Sequence, residues 1–268
     1  RVMIDLKIPS EYDYQIVEGS VKQTGARRIE GFSKQLSKNV WSADADQNYT
    51  IYFVIEFNKD IKKFGGWHDH TLWETDTMTA HYPQRFGCYA EFDTTDHPEV
   101  MVRSGISYVD MAGASNNLSN EITEPFGWNF EAVHKHQSDS WNNILNRVRI
   151  YSNDYREKVR FYTNLYRAFC RNTFSDADRR WVDAAGNIQK LDDPDAVALG
   201  CDAFWNTFWN LNQVWNLIAP EWSSRWVKSQ LAMYDANGWL AKGPSGMKYI
   251  PVMVGEHEIP LLVSTYQM

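Results

Sequence analysis

The sequence predicts a fold in two parts, a β-sandwich followed by a helical bundle or an α/α toroid. Up to about residue 150, short β-branched and aromatic runs alternate with turn residues, as they do in sandwiches. After Ser152, apolar residues recur every three or four positions, which is the period of a helix with one buried face. We therefore expect a sandwich over residues 1–133, a linker helix and strand over 134–153, and further helices over 154–268.

Short runs of β-branched and aromatic residues carry the strand pattern of the first part. The clearest run, residues 49–57, reads Tyr-Thr-Ile-Tyr-Phe-Val-Ile-Glu-Phe and alternates in part. Three more runs of this kind are residues 87–92, 100–109 and 147–151. The residues that separate the runs are typical of turns: Gly65 with Gly66, residues 93–98, and Asn116 with Asn117. We therefore expect short antiparallel strands joined by tight turns.

Four stretches of the second part have a helical pattern. They are residues 154–172, 202–218, 222–237 and 259–268. Pro220 closes the second stretch, and the third ends at Gly238, a residue type that commonly follows a helix C-terminus. Four helices are too few to close a toroid of paired helices. The N-terminal residues of the chain already have a strand pattern, and no residue typical of a helix end closes the run at 259–268. We therefore expect this chain to be a piece of a longer protein.

Charge and hydropathy argue against two classes of partner. The net charge is -7, and no Lys/Arg-rich run occurs among the 27 basic residues, so a nucleic-acid backbone would be repelled. No run approaches about 18 apolar residues, so we expect no transmembrane helix. Cys88, Cys170 and Cys201 are odd in number and lack CxxC spacing, which predicts thiols rather than a disulfide framework or a zinc site.

Tryptophan is concentrated in one segment of the helical part. Five of the 12 Trp residues of the chain lie in this segment: Trp205, Trp209, Trp215, Trp222 and Trp226. Polar residues are interleaved with them: Asp202, Asn206, Asn210, Asn212 and Asn216. The Trp residues could form a core stripe, or a wall that stacks on the apolar face of a sugar ring. Buried amides need hydrogen-bond partners, so the interleaved Asn residues favour a hydroxyl-rich ligand.

Two clusters of titratable residues are further candidates. Gly255-Glu256-His257-Glu258 opens the last helical run, and its carboxylates could serve as an acid/base pair, as metal ligands, or as charges that offset the helix dipole. Of these residues, His257 is the one we retain as a site candidate. The other cluster, around His68 and His70, resembles a metal site weakly, and a solvated loop is the favoured interpretation.

Six segments, taken in order, resemble one family of enzymes. They are residues 51–57, 103–121, 161–181, 202–222, 231–244 and 254–267. Together they resemble glycoside hydrolase family 92, the calcium-dependent exo-acting α-mannosidases. The resemblance implies a β-sandwich domain followed by an (α/α)6 toroid, and this chain would hold the sandwich and the first helices of the toroid.

The resemblance also implies a chemistry and a location. Enzymes of this family invert the anomeric carbon, with a Glu as general acid, an Asp pair as general base, and calcium on the sugar hydroxyls. The acid and base motifs of the family lie C-terminal to the point that matches Met268. We therefore expect no catalytic residue and no metal ligand in this chain, and no activity from the chain alone. The family implies mannose-containing glycans as substrates, calcium as cofactor, and a secreted or periplasmic protein.

The family's Trp-Asp-Thr-Phe-Arg motif maps onto residues 205–209 of this sequence, and its Gly-Asp-His motif maps onto residues 255–257. Asn206 stands in place of a sugar-binding Asp, and Trp209 stands in place of an Arg, so both departures remove a charge from the implied pocket. The expected substrate-binding residues are Trp205, Asn206, Trp209, Trp239, Glu256 and His257. Two alternatives stay open: a non-catalytic carbohydrate-binding protein on a glycosidase scaffold, or a glycosidase or phosphorylase of another family with a sandwich and an α/α toroid.

Overall fold

The chain divides into two compact units. The computed structural model describes residues 1–7, 14–37, 47–81, 86–170, 172–200, 204–241, 244–245, 248–249 and 255–268. The sheet unit comprises Arg1–Trp128 and Ser175–Val182, and the helical unit comprises Asn129–Phe174 and Asp183–Met268. A short segment from the second half of the chain therefore belongs to the sheet unit.

The sheet unit contains two antiparallel sheets. The strands of these two sheets are β1 (Val2–Asp5), β2 (Tyr14–Gly25), β3 (Arg28–Ser37), β4 (Gln47–Phe57), β5 (Ile61–His68), β6 (Thr71–Glu74), β7 (Thr77–His81), β8 (Phe86–Phe92) and β9 (Val102–Ser107). A further short strand of this unit, Arg180–Val182, lies outside the two sheets. One sheet has the order β1-β8-β5-β6, and the other has the order β7-β2-β3-β4-β9. Every pairing described within these two sheets is antiparallel.

One hydrophobic core lies between the two sheets. Phe64 and Phe86 of the first sheet pack in the same cluster as Val21, Ile29 and Phe57 of the second, and all five are buried. Alternate residues of a strand point to opposite faces, so one face of each sheet supplies this core. The predicted β-sandwich is confirmed.

Gly65 and Gly66 do not form the turn that their residue type suggested. Both lie inside β5, where Gly66 pairs with Trp73 on one side and with Cys88 on the other. A Cβ atom at Gly66 would lie 2.1 Å from Sδ of Met78, and one at Gly65 would lie 2.1 Å from the carbonyl oxygen of Trp73. Glycine is needed here because neighbouring chain packs directly on the backbone, which is a second use of this residue type besides turns.

The predicted turn at Asn116 and Asn117 is also wrong. Both residues lie in helix α1, Met111–Leu118, which continues through a π-turn, Ser119–Thr123, into α2, Glu124–Phe126. Helix α1 packs against β4 through a small apolar cluster that contains Val54, Ala114 and Leu118. The side chain of Asn117 is buried and donates to the carbonyl oxygen of Ile106 at 2.8 Å.

The helical unit contains five longer helices within the described residues. They are α3 (Phe130–Leu145), α4 (Tyr155–Phe169), α5 (Leu211–Ile218), α6 (Pro220–Asn237) and α7 (Glu258–Gln267). The short elements of the unit are Asn172–Thr173, Ile188–Lys190, Leu199–Gly200, Pro244–Ser245 and Lys248–Tyr249, which are strands, and Thr207–Trp209, a 3-10 turn. None of the helices traced here combines the length and apolar character that a membrane span requires.

Most of the predicted helices are present, with one important difference. Asp154 caps α4 by accepting from the backbone N–H of Arg156, and Gly238 ends α6 with a φ of 74°. The predicted helix over 202–218 is a regular helix only from Leu211 onward, because Asn206 has a left-handed backbone with a φ of 64°. Residues 202 and 203 lie outside the described residues, and the strand predicted over 147–151 is not formed.

Aromatic side chains form the core of the helical unit. Trp215 and Trp226 are fully buried and stack with ring centroids 6.2 Å apart and an interplanar angle of 12°. Phe204 meets Trp226 edge-on at 4.9 Å, and Leu199 and Leu261 complete the buried contacts of the cluster. Two of the five clustered Trp residues are therefore core residues, and the predicted fold class, a sheet-rich domain followed by helices, is confirmed.

Candidate functional site

A hydrogen bond joins the two motifs in which most of the site residues were expected. The backbone N–H of Asn206 donates to Nδ1 of His257 at 2.6 Å, across 51 positions of the chain. The ring of Phe208 meets the ring of His257 edge-on, with centroids 4.9 Å apart. Asn206 precedes the 3-10 turn and His257 precedes α7, so the contact brings the start of two structural elements together.

Local conformation explains how this contact forms. Asn adopts the left-handed region more readily than other residues with a Cβ atom, and Asn206 has a φ of 64° where its N–H meets His257. Thr207 Oγ1 donates to the carbonyl oxygen of Phe204 at 3.0 Å and secures the turn. Gly255 has a φ of 113°, and a Cβ atom there would lie 2.2 Å from Nε2 of His257. The ring of His257 therefore lies directly over a glycine backbone.

The other expected site residues differ in their exposure. Trp205, Trp209 and Trp239 are 51 %, 69 % and 71 % exposed, in contrast to the buried Trp215 and Trp226. A flat indole that is open to solvent can stack on the apolar face of a sugar ring. The ring of Trp209 meets the ring of Phe208 edge-on, with centroids 6.0 Å apart, so one exposed indole adjoins the ring that contacts His257.

The structure brings together only some of the expected residues. Asn206 and His257 are in direct contact, and Phe208, which the sequence did not single out, packs on the histidine. Among the described residues, no hydrogen bond or ring contact joins Trp239 or Glu256 to this pair. Phe208 could have been found from its place inside the segment that matches the family motif.

Part of the Asn pattern that suggested a hydroxyl-rich ligand has a structural explanation. Asn216 is buried, donates to Oγ of Ser264 at 3.1 Å, and accepts from Oγ1 of Thr265 at 3.3 Å. These bonds tie α5 to α7. Asn212 is also buried, but within the described part of the chain neither atom of its amide has a hydrogen-bond partner.

The described residues do not fit a calcium site. Calcium takes six to eight oxygen ligands, several of them carboxylates. Nowhere in the part of the chain that the structure describes do three or more His, Cys, Asp or Glu residues come together as a metal site would require. The buried carboxylate of Asp183 is occupied by the N–H groups of Ala185, Asn187 and Gln189. The hairpin at His68 and Asp69 is solvent-facing, and those two side chains contact each other at 3.4 Å.

A buried polar network lies in the sheet unit. Asp176 accepts hydrogen bonds from Ser107 and Asn117, and burial raises the pKa of its carboxyl. Arg180 bonds to Asp110 at 2.6 Å and holds the pKa of that carboxyl below its usual range. The network attaches Ser175–Val182 to α1 and β9. It is a structural feature of the sheet unit, formed by residues far apart in sequence.

Comparison with known protein families identifies the chain. Its sequence matches the profile of the glycosyl hydrolase family 92 catalytic domain over residues 113–268. It also matches the profile of the glycosyl hydrolase family 92 N-terminal domain over residues 1–107. The chain belongs to glycosyl hydrolase family 92. The resemblance noted from six sequence segments is therefore confirmed.

Solved structures of family members share the fold of this chain. The family GH92 α-mannosidase BT3965 from Bacteroides thetaiotaomicron matches with a TM-score of 0.78 at 21% identity, over 92% of this chain and 33% of that one. The inverting mannosidase BT2199 from Bacteroides thetaiotaomicron VPI-5482 matches with a TM-score of 0.78 at 19% identity, over 99% and 34%. The family GH92 glycosyl hydrolase ccman5 matches with a TM-score of 0.70 at 18% identity, over 92% and 32%.

Identities at this level show the fold alone. This chain spans about a third of the length of each of these solved relatives. BT3965 has also been solved in complex with mannoimidazole. Among curated proteins, none matches this sequence.

Proposed function

We propose that this chain is part of a longer glycosidase that releases mannose from α-mannosides of glycans. The match to the family 92 catalytic domain over residues 113–268 supports a glycosidase. The names of two structural relatives, an α-mannosidase and an inverting mannosidase, support mannose as the sugar. The mannoimidazole complex of BT3965 supports the same assignment.

The observation that carries the proposal is the hydrogen bond between Asn206 and His257, together with the exposed indole of Trp209 that contacts Phe208. In the proposed site, Trp205 and Trp209 stack on the apolar C–H face of the sugar, and the imidazole of His257 contacts a hydroxyl group. Both interactions are typical of sites for hydroxyl-rich ligands, since each sugar presents an apolar face and a polar rim. Residues of this chain would bind and orient the sugar rather than move a proton.

The proton transfers of an inverting glycosidase need two carboxyl groups about 6.5–9.5 Å apart, one as acid and one as base on a water. We assign these groups to parts of the full-length protein beyond this chain, in keeping with the family's motif order. Calcium, which would grip sugar hydroxyls when bound, is proposed for the full-length protein with ligands from outside the described residues. A secreted or periplasmic location is proposed from family membership alone, and cell fractionation tests it.

The proposal is tested by measuring mannose release from α-linked mannobiosides by the full-length protein that carries this chain. Release that depends on calcium, and is lost on chelation, supports the inverting exo-mannosidase. Sugar binding without release from any α-mannoside favours the non-catalytic carbohydrate-binding alternative. Release of glucose from α-glucosides, with mannosides untouched, favours a different glycosidase. Turnover by this chain alone would contradict the assignment of the acid and base to other parts of the protein.

A further inference from the structure

We propose that Asn206 acts through its backbone, by fixing His257 as the tautomer that carries its proton on Nε2. In that state the ring donates a hydrogen bond from Nε2 to a sugar hydroxyl oxygen. The identity of the ligand rests on the proposed function, whereas the tautomer of His257 does not depend on it. Asn206 is thus a positioning residue, and His257 is the residue that touches the sugar.

The direction of the hydrogen bond decides which nitrogen of His257 accepts. A backbone N–H can only donate, so Nδ1 of His257, 2.6 Å away, must accept with its lone pair. A neutral imidazole has one protonated and one unprotonated nitrogen, and the proton therefore lies on Nε2. The hydrogen bond made by one ring nitrogen thus decides what the other nitrogen offers to a ligand.

Neighbouring groups hold the ring of His257 in one orientation. Phe208 packs edge-on against His257, and the backbone of Gly255 lies so close to Nε2 that a Cβ atom would be 2.2 Å away. These contacts oppose rotation of the ring about its Cβ–Cγ bond, which would put Cδ2 in the place of Nδ1 and break the hydrogen bond from Asn206. His257 as a whole is half-buried.

Asn206 could act through its side-chain amide or through its backbone. The sequence suggested that the amide replaces a sugar-binding carboxylate of the family. The structure shows the backbone at a φ of 64°, which Gly and Asn adopt readily and β-branched residues do not. A glycine at this position distinguishes a role of the side-chain amide from a role of the backbone. Glycine at position 206 keeps the left-handed backbone and removes the amide, whereas valine opposes that backbone.

The tautomer is measured in the full-length protein by long-range 1H–15N NMR of the histidine rings, with His257→Gln used to assign the signals of His257. We expect a protonated Nε2 and an unprotonated Nδ1 for His257 in the wild type and in Asn206→Gly, and a changed or mixed state in Asn206→Val. Asn210→Val is the matched control for a valine nearby and should leave the His257 signals in place. Wild-type signals that place the proton on Nδ1 would overturn the proposal, even if the valine variant failed to fold.

The affinity for methyl α-D-mannoside is measured by calorimetry on the same variants of the full-length protein. We expect Asn206→Gly to bind within about twofold of wild type and Asn206→Val to bind about fivefold or more weakly, the effect of one hydrogen bond. His257→Gln, whose amide nitrogen reaches the Nε2 position, should bind better than His257→Asn. If Asn206→Gly loses as much affinity as the valine variant while its tautomer is unchanged, the amide binds the sugar and the backbone role is wrong. If the wild type binds no mannoside but shows the expected tautomer, the proposed function is contradicted and the positioning role of Asn206 is still supported.

Discussion

Ser107 donates a hydrogen bond from Oγ to Oδ2 of Asp176 at 2.8 Å, although 69 residues separate the two in sequence. The other carboxylate oxygen of Asp176 accepts from Nδ2 of Asn117 at 2.9 Å, and Asp176 is only 5 % exposed. Burial has the largest effect on the pKa of this carboxyl and raises it, and the two hydrogen bonds act in the opposite direction. A buried carboxyl therefore holds Ser175–Val182 on the sheet unit.

The raised pKa of Asp176 predicts how its contribution to stability changes with pH. A carboxyl whose pKa is higher in the folded state than in the unfolded state contributes stability below its unfolded pKa, and this contribution is lost as pH rises through the folded pKa. We expect Asp176→Asn to remove this part of the pH dependence. The measurement is the free energy of unfolding in urea between about pH 4 and pH 7, the range above the ordinary carboxyl pKa.

Asp139→Asn is the control for this experiment, because Asp139 is an exposed carboxylate that pairs with Lys135 on the surface of α3. It should leave the pH dependence as it is in the wild type. If Asp176→Asn and the wild type lose stability in parallel as pH rises, the buried carboxyl does not have the raised pKa that its burial implies.

Gly113 is expected to resist replacement by alanine even though it lies in a helix. Alanine usually stabilises a helix relative to glycine by up to about 1 kcal/mol. Here a Cβ atom would lie 2.2 Å from Oδ2 of Asp176 and 2.6 Å from Oγ of Ser107. We expect Gly113→Ala to lower the free energy of unfolding by about 1–3 kcal/mol, the range for overpacking a closed site. Gly25→Ala is the control, because its Cβ atom would meet only Cβ of Arg28 at 3.6 Å. If Gly113→Ala is more stable than the wild type, the side chains of Ser107 and Asp176 can move to admit the methyl group at little cost.

Gln230 is expected to be important for the stability of the helical unit. Its buried amide donates to the carbonyl oxygen of Ala241 at 2.9 Å and accepts from the N–H of the same residue at 2.9 Å. Gln230→Ala removes both bonds and leaves two buried backbone groups without them, which costs about 2–4 kcal/mol of unfolding free energy. Gln213→Ala, at an exposed position with one bond to the carbonyl oxygen of Phe208, is the control and should cost much less. Equal losses for the two variants would mean that the residues around Ala241 are solvated.

Replacing the exposed indoles of Trp205 and Trp209 should weaken sugar binding and leave the protein folded. Trp205→Ala and Trp209→Ala should each weaken the binding of α-mannosides by about threefold to tenfold, the usual value of an aromatic contact. Their melting temperatures should stay close to that of the wild type, because both side chains are more than half exposed. Trp73→Ala, which removes a partly exposed indole of the sheet unit, should change neither property. Affinities for methyl α-D-mannoside by calorimetry decide the outcome, and unchanged affinity in both variants would exclude them from the site.

Regular elements with strong local patterns could be predicted from the sequence. The apolar period of residues 154–172 gave α4, and Gly238 marked the end of α6, because both depend on neighbours within a few positions. Gly65 and Gly66 misled the prediction, since a glycine can serve a turn or a close approach of chain, and only the fold distinguishes these uses. Elements were therefore easier to predict than the contacts between them.

The residues of the candidate site stay predictions, and only part of their arrangement could be read from the sequence. The Trp and His candidates could be named from the sequence, because their residue types suit a sugar ligand. The contact between Asn206 and His257 could not be predicted, because it joins residues that are 51 positions apart in sequence. The Asp176 network was missed for the same reason, since Ser107, Asn117 and Asp176 are brought together only by the folded chain.

Mannose release by the full-length protein, compared with its Trp205→Ala variant, tests the central claim most directly. The wild type should release mannose from an α-mannobioside, and the variant should show a lower kcat/KM by about tenfold, the kinetic equivalent of one lost contact to the bound sugar. Release by both proteins at the same rate would place the sugar site elsewhere. No release by the wild type from any α-mannoside would contradict the assignment of this family 92 chain to an α-mannosidase.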